Sequence, residues 1–177
     1  MHHDMNAYNC MYTLVSLCLT MMLYFRWRLI IHGGVDGYSR VPVYLQCSNN
    51  NRADTVVRLF KGAVNAYGLP SRVRCDAGRE NVDVSLFLLT HPLRGPGRGT
   101  VIVGKSVHNQ RIERMWRDVY QGVLDIYYRL FYHLEENNLL DPNDDIHLYC
   151  LHYIFIPRIN GHLSQVKETC DTCYCPE

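Results

Sequence analysis

The chain has 177 residues, 47% of them apolar and 20% charged. That is long enough for one domain with a buried core, and too apolar for a disordered segment. The formal net charge is +1, but it is unevenly spread. Residues 1–71 hold six basic and three acidic side chains, residues 72–117 nine and four, and residues 118–177 three and ten. A basic middle third around a few carboxylates suits a polyanionic substrate. The plainer alternative is a solvated surface of mixed charge.

In chain order, residues 11–25 form an almost uncharged run. Fifteen residues fall short of the ~20 that span a bilayer. No Lys or Arg precedes the run as a secretory leader requires, and Arg26-Trp27-Arg28 comes directly after it. A buried strand or helix is expected, with membrane anchoring by 11–25 as the minor alternative. Arg26 to His32 reads as a strand, Gly33 to Gly37 as a turn, and Arg40 to Cys47 as the second arm of a hairpin. Asn49 to Asn51 offer a cap for a helix carrying Val56, Phe60, Ala63, Val64 and Tyr67, which Gly68-Leu69-Pro70 stops. The strand Val73 to Asp76 comes next, so the sheet is mixed with a right-handed crossover.

Glu80 to His91 is a second short helix or irregular segment. His91 to Thr100, with Arg94 and Arg98, is a flexible basic loop. Thr100 to Gly104 is a short strand. From Ser106 the apolar positions 112, 116, 119, 123, 126, 130 and 134 mark a long amphipathic helix, broken at Leu139-Leu140-Asp141-Pro142-Asn143. A last helix is expected over about Asp145 to Phe155. Cys10, Cys18, Cys47, Cys75 and Cys150 read as reduced core residues. Cys170, Cys173 and Cys175 with His162 could supply four zinc ligands, but the spacing matches no standard knuckle, and a frayed tail is the reading taken.

Two carboxylates stand inside readable motifs. Asp76 closes a short apolar strand in Cys75-Asp76-Ala77-Gly78-Arg79-Glu80-Asn81, and Glu113 lies early on the long helix in His108-Asn109-Gln110-Arg111-Ile112-Glu113-Arg114-Met115-Trp116-Arg117. In open α/β sheets ligands bind beyond the carboxyl ends of parallel strands, and Asp76 is expected at such an end. Hard oxygen ligands suit Mg²⁺ or Mn²⁺ acting on a phosphate backbone. The competing readings are a turn-stabilising Asp76 and a Glu113–Arg117 pair on one helix face.

These motifs and the order of elements resemble the integrase core of retroelements and DDE transposons. The stretch from Arg26 to Arg40, Arg-Trp-Arg-Leu-Ile-Ile-His-Gly-Gly-Val-Asp-Gly-Tyr-Ser-Arg, extends the likeness. The resemblance implies an α/β, ribonuclease H-like fold: a mixed sheet flanked by helices, here with its first strand altered or degenerate. It divides the chain into an atypical apolar segment 1–25, a core-like domain 26–160 and a Cys-rich tail 161–177. It implies that Asp76 and Glu113 are catalytic and metal-binding acids, and that Asn109, Gln110, Arg111, Arg114 and Arg117 contact nucleic acid.

Such cores use a third acid on the opening strand, which counting back from Trp27 places near Leu19. That neighbourhood holds no carboxylate. Asp36 and Asp4 are the other acids before residue 50, and Asp36 is expected to shape its turn instead. The implied function is metal-dependent DNA strand cutting and transfer, impaired by the missing ligand. The alternative is a non-catalytic nucleic-acid- or protein-binding module of a domesticated element. The implied partners are DNA and another copy of the chain, with no small-molecule substrate and no membrane. The expected location is nuclear or cytoplasmic.

Overall fold

Short apolar runs, separated by amphipathic helices, fold into a layered sheet. The computed structural model describes residues 15–17, 26–76, 78–104 and 110–173, without the side chains of 15–17, 110–113 and 171–173. Five strands are described: β1 (Val15–Leu17), β2 (Ile30–Asp36), β3 (Pro42–Ser48), β4 (Val73–Cys75) and β5 (Val101–Val103). They lie in the order β3-β2-β1-β4-β5. β2 is antiparallel to both β1 and β3, whereas β1, β4 and β5 run parallel. This is the mixed α/β, ribonuclease H-like sheet expected.

The helices are α1 (Ala53–Tyr67), α2 (Val82–Thr90), α3 (Gln110–Val119), α4 (Asp125–Glu136) and α5 (Asp145–Cys173). Two apolar clusters show how they flank the sheet. Tyr44, Val73 and Cys75, with Val43 at the irregular step in the β2–β3 ladder, join Val56 and Phe60 of α1 and Val84 and Leu88 of α2. Trp27, Ile31, Val35, Leu45 and Cys47 join residues of α3, α4 and α5. Because strand side chains alternate in direction, these are opposite faces of one sheet.

The sequence places the hairpin bend too early. Gly33 and Gly34 lie within β2, and the turn is Gly37-Tyr38-Ser39. Both glycines are strand residues because rings take the space of a side chain. A Cβ on Gly33 would stand 2.7 Å from Trp116 Cη2, and one on Gly34 2.6 Å from Tyr44 Cε1. α1 ends as expected, at Gly68 with φ of 90°, a value glycine adopts without strain. Its start differs: the Asn50 carboxamide oxygen accepts from Arg52 N and Thr55 Oγ1, tying down the residues before the helix.

The long helix after residue 110 changes phase. Tyr120–Leu124 is π-helical and separates α3 from α4. A π turn carries one extra residue and rotates the helix beyond it. The buried set therefore passes from Trp116, Val119 and Val123 to Leu124, Tyr127 and Phe131. Ile126, expected inside, is 66% exposed, and Leu130 is also exposed.

α5 runs well past the expected Phe155, with Pro157 inside it. Proline removes one helical hydrogen bond and is ordinarily a poor fit inside a helix. Packing carries the helix on: Ile159 and Leu163 are buried, and the Asn160 side chain pairs with the free edge of β3, accepting from Cys47 N (2.7 Å) and donating to Cys47 O (3.1 Å). An edge strand covered in this way cannot recruit another strand there.

Cys47 and Cys75 are free thiols in the core as expected, and burial pushes the Cys47 thiol up to about 12. Cys150 is free but exposed, because it lies on the outer face of α5. Cys10 and Cys18 lie outside the described residues. So do the side chains of Cys173 and Cys175, while His162 Nδ1 is engaged with the Tyr127 hydroxyl at 2.9 Å. Among the described residues no helix is long and apolar enough to cross a membrane. Most of the 11–25 run lies outside them.

Candidate active site

Asp76 comes directly after the last residue of β4, whose two neighbours in the sheet are both parallel to it. It therefore stands at the carboxyl end of parallel strands, where the sequence placed it. Gly104 N donates to Cys75 O at 3.1 Å and closes the ladder just before it. Val73 and Cys75 point to the α1–α2 side. Alternation turns Arg74, and Asp76 two residues on, toward the side of α3.

Asp76 is partly buried, and its Oδ1 accepts from Asn81 Nδ2 at 2.8 Å. Asn81 is buried in a 3-10 turn over Arg79–Asn81 that leads directly into α2. The Cys-Asp-Ala-Gly-Arg-Glu-Asn motif thus has a structural component: its last residue holds the carboxylate of its second. Sequence reasoning missed Asn81, although the motif ends on it. Burial pushes the Cys75 thiol beside it up, and a soft sulfur is a poor ligand for a hard cation.

The strand registers define the levels of the site. Leu17 pairs with Gly34 and Ser16 with Arg74, so Gly33 on β2 stands level with Asp76, one strand between them. The Trp116 ring packs onto Gly33. Helix α3 is therefore seated over the sheet at the level of Asp76. Glu113 is three residues before Trp116, one helical turn or ~4.5 Å along the axis. Its backbone belongs to α3. Its side chain lies outside the described residues, as do those of Gln110 and Arg111 and the whole of Asn109. Arg114 and Arg117 of the same helix are exposed.

The registers also place Asp36. It pairs with Val15, which pairs with Val73. Three residues along and two strands across separate that level from Asp76, about 14 Å at ordinary strand spacings. Asp36 is 2% exposed, and its Oδ2 accepts from Tyr38 N (3.2 Å), Ser39 N (2.7 Å) and Ser39 Oγ (2.8 Å). It shapes the hairpin turn and does not reach the carboxyl end of β4.

Whichever residue of the opening strand stands beside Asp76, it is not an acid, because residues 15–25 contain no Asp or Glu. Among the described residues no three His, Cys, Asp or Glu side chains gather as a metal ion requires. The donors described do not fit a divalent-cation site. The same face instead holds two buried donors that have no acceptor among the described residues, Arg74 Nε and Trp116 Nε1. The basic loop before β5 is likewise committed. Arg94 donates to Pro70 O (2.8 Å) and Leu69 O (2.9 Å), so this arginine braces the α1–β4 connection.

The family model described as "Integrase core domain" matches residues 14–173. The integrase catalytic core domain of HTLV-2, solved in complex with magnesium in a trimeric form, is similar at 14% identity and a TM-score of 0.49, covering 78% of this chain and 81% of that one. Its dimeric form gives 15% identity and a TM-score of 0.48, with coverage of 81% and 88%. No curated protein matches the chain.

Proposed function

Because this chain belongs to the integrase core domain family, we propose that it binds DNA on an integrase core whose strand-cutting chemistry is impaired. The observation that carries this reading is the opening strand. It lies beside β4 in the order a ribonuclease H-like core uses, yet residues 15–25 offer no carboxylate to join Asp76. Asp36, the nearest alternative in sequence, is spent on its turn at the other end of the strands.

Asp76 and Glu113 are the two acids of the family's three that remain. Mg²⁺ or Mn²⁺ is the cation the resemblance implies, and two carboxylates hold either weakly. What survives is the binding face. Arg114 and Arg117 project from α3, and Asn109, Gln110 and Arg111 precede them in the chain. Residues 72–117 carry five net positive charges to neutralise phosphates. The nucleus or cytoplasm is the setting in which such a module meets DNA. A non-catalytic nucleic-acid- or protein-binding module is the second reading, and the bond that holds the Asp76 carboxylate to Asn81 supports its lack of catalysis.

Salt-dependent binding to duplex DNA tests the proposal. The double variant Arg114→Ala, Arg117→Ala is expected to flatten the slope of log affinity against log salt by about two. Asp76→Ala is expected to leave both affinity and slope in place. Binding that ignores salt, or that survives loss of both arginines unchanged, contradicts a DNA-binding role for this helix.

A further inference from the structure

Four buried polar atoms have no hydrogen-bond partner among the described residues: Asp36 Oδ1, Arg74 Nε, Thr100 Oγ1 and Trp116 Nε1. Such orphans are rare in a folded chain, because each gives up water for nothing. The last three lie on one face of the sheet. Val35, Ser16 and Arg74 pair across β2, β1 and β4 and form one row. Val35 and Trp116 belong to the cluster on the α3 side, and Arg74 points to that side. Val101 packs against the α1–α2 cluster, so Thr100 before it faces the α3 side as well.

This face is only half covered. The sheet side of the α3–α5 cluster is built from β2, β3 and the residues just before β2, with none from β4 or β5. Trp116, 5% exposed, is the wall of the covered half. Arg74, partly exposed, opens onto the bare half. Two strand spacings, ~10 Å, separate the Arg74 backbone from that of Val35. The arginine and the indole stand at the two ends of this interval, with the opening strand between them. Thr100 is on the far side of Arg74.

Arg74 has no salt-bridge partner among the described residues. A guanidinium keeps its charge, and an indole N–H donates but cannot accept. Three unused donors, one of them on a fixed positive charge, repel a cation and suit a ligand with several anionic oxygens. We infer that Arg74 and Trp116, with Thr100 beside them, hold an oxyanion of the phosphate class, next to the place where the resemblance implies a cation. Free orthophosphate and a backbone phosphate of DNA present the same oxygens. Asp76 lies two residues on along the same face, and its like charge works against the anion. The inference does not rest on α3 binding DNA.

Indole signals in a proton–nitrogen correlation spectrum read the site, because the chain has two tryptophans and Trp27 Nε1 already donates to Glu135. Orthophosphate is titrated without magnesium, at an ionic strength held by chloride. The Trp116 signal is expected to shift and saturate while the Trp27 signal stays. Arg74→Gln should weaken phosphate roughly tenfold or more, as loss of a charged donor does. Arg74→Met replaces it if its spectrum shows an unfolded chain. Asp76→Asn should tighten phosphate severalfold, whereas a cation site would be weakened by the same change. A short DNA duplex is the second titrant: saturation by orthophosphate assigns the free anion, and saturation by the duplex alone assigns a backbone phosphate. A Trp116 signal that ignores both titrants, moves with chloride, or saturates equally in Arg74→Gln overturns the inference. So does a shift driven by Mg²⁺ that phosphate does not reproduce.

Discussion

Trp27→Ala is expected to cost about 3–5 kcal/mol, the usual range for emptying a large aromatic site in a core. Whole domains are stable by only ~5–15 kcal/mol, so this one substitution should remove much of the folded population. Trp27 is fully buried. Its ring meets Tyr128, Phe131 and Tyr132 edge-on, with centroids 5.7, 5.2 and 5.2 Å away. Its Nε1 donates to Glu135, which also receives Arg26. His152 of α5 bonds Trp27 O at 2.7 Å. A single residue just ahead of β2 thus ties the sheet to both α4 and α5. Trp27→Phe keeps most of the ring volume and loses the hydrogen bond, so it should cost markedly less. Urea midpoints of the three proteins measure the difference. Equal stability of Trp27→Ala and wild type would contradict the packing.

Gly33→Ala is the second large effect. The added methyl would sit 2.7 Å from Trp116 Cη2, 3.1 Å from Cζ2 and 3.2 Å from Leu45 Cδ1. Trp116 is 5% exposed and wedged between α3 and the sheet, so it has little room to yield. Overpacking of this kind costs about 1–3 kcal/mol and shifts backbone. The backbone that shifts is α3, which carries Arg114, Arg117 and Glu113. The variant should lose DNA affinity as well as stability. Gly62→Ala serves as the control, because nothing lies within 4 Å of a Cβ there. Calorimetry and binding on the pair separate a local clash from a general effect of removing glycine. A Gly33→Ala protein as stable as Gly62→Ala would mean that α3 is not seated as described.

Much of the fold was legible from residues alone, and the failures have physical causes. The stop at Gly68 and the motif around Asp76 are local, so the sequence shows them directly. Asp76 at a strand end came from the pattern, whereas its bond to Asn81 did not, because both residues read as turn formers. The Gly33-Gly34 pair reads as a bend for the same reason. Only the rings of Trp116 and Tyr44, remote in sequence, explain two glycines inside a strand. The slip at Tyr120–Leu124 moved the buried stripe from Ile126 and Leu130 to Tyr127 and Phe131. Counting by three and four cannot register a π turn. The last helix was expected to end near Phe155, because the buried Ile159 and Leu163 and the Asn160–Cys47 pairing that carry it on are tertiary contacts.

An opening strand without an acid, as proposed, should leave the core without strand-cutting activity. The direct measurement is nicking of supercoiled DNA in Mn²⁺ or Mg²⁺ by the wild type and by Asp76→Ala, and then by an Asp scan of positions 17, 18 and 19. The expected result is no metal-dependent nicking by the wild type above the Asp76→Ala level, and a gain at one scanned position that Asp76→Ala abolishes. Metal-dependent nicking by the unmodified chain that disappears in Asp76→Ala would contradict it.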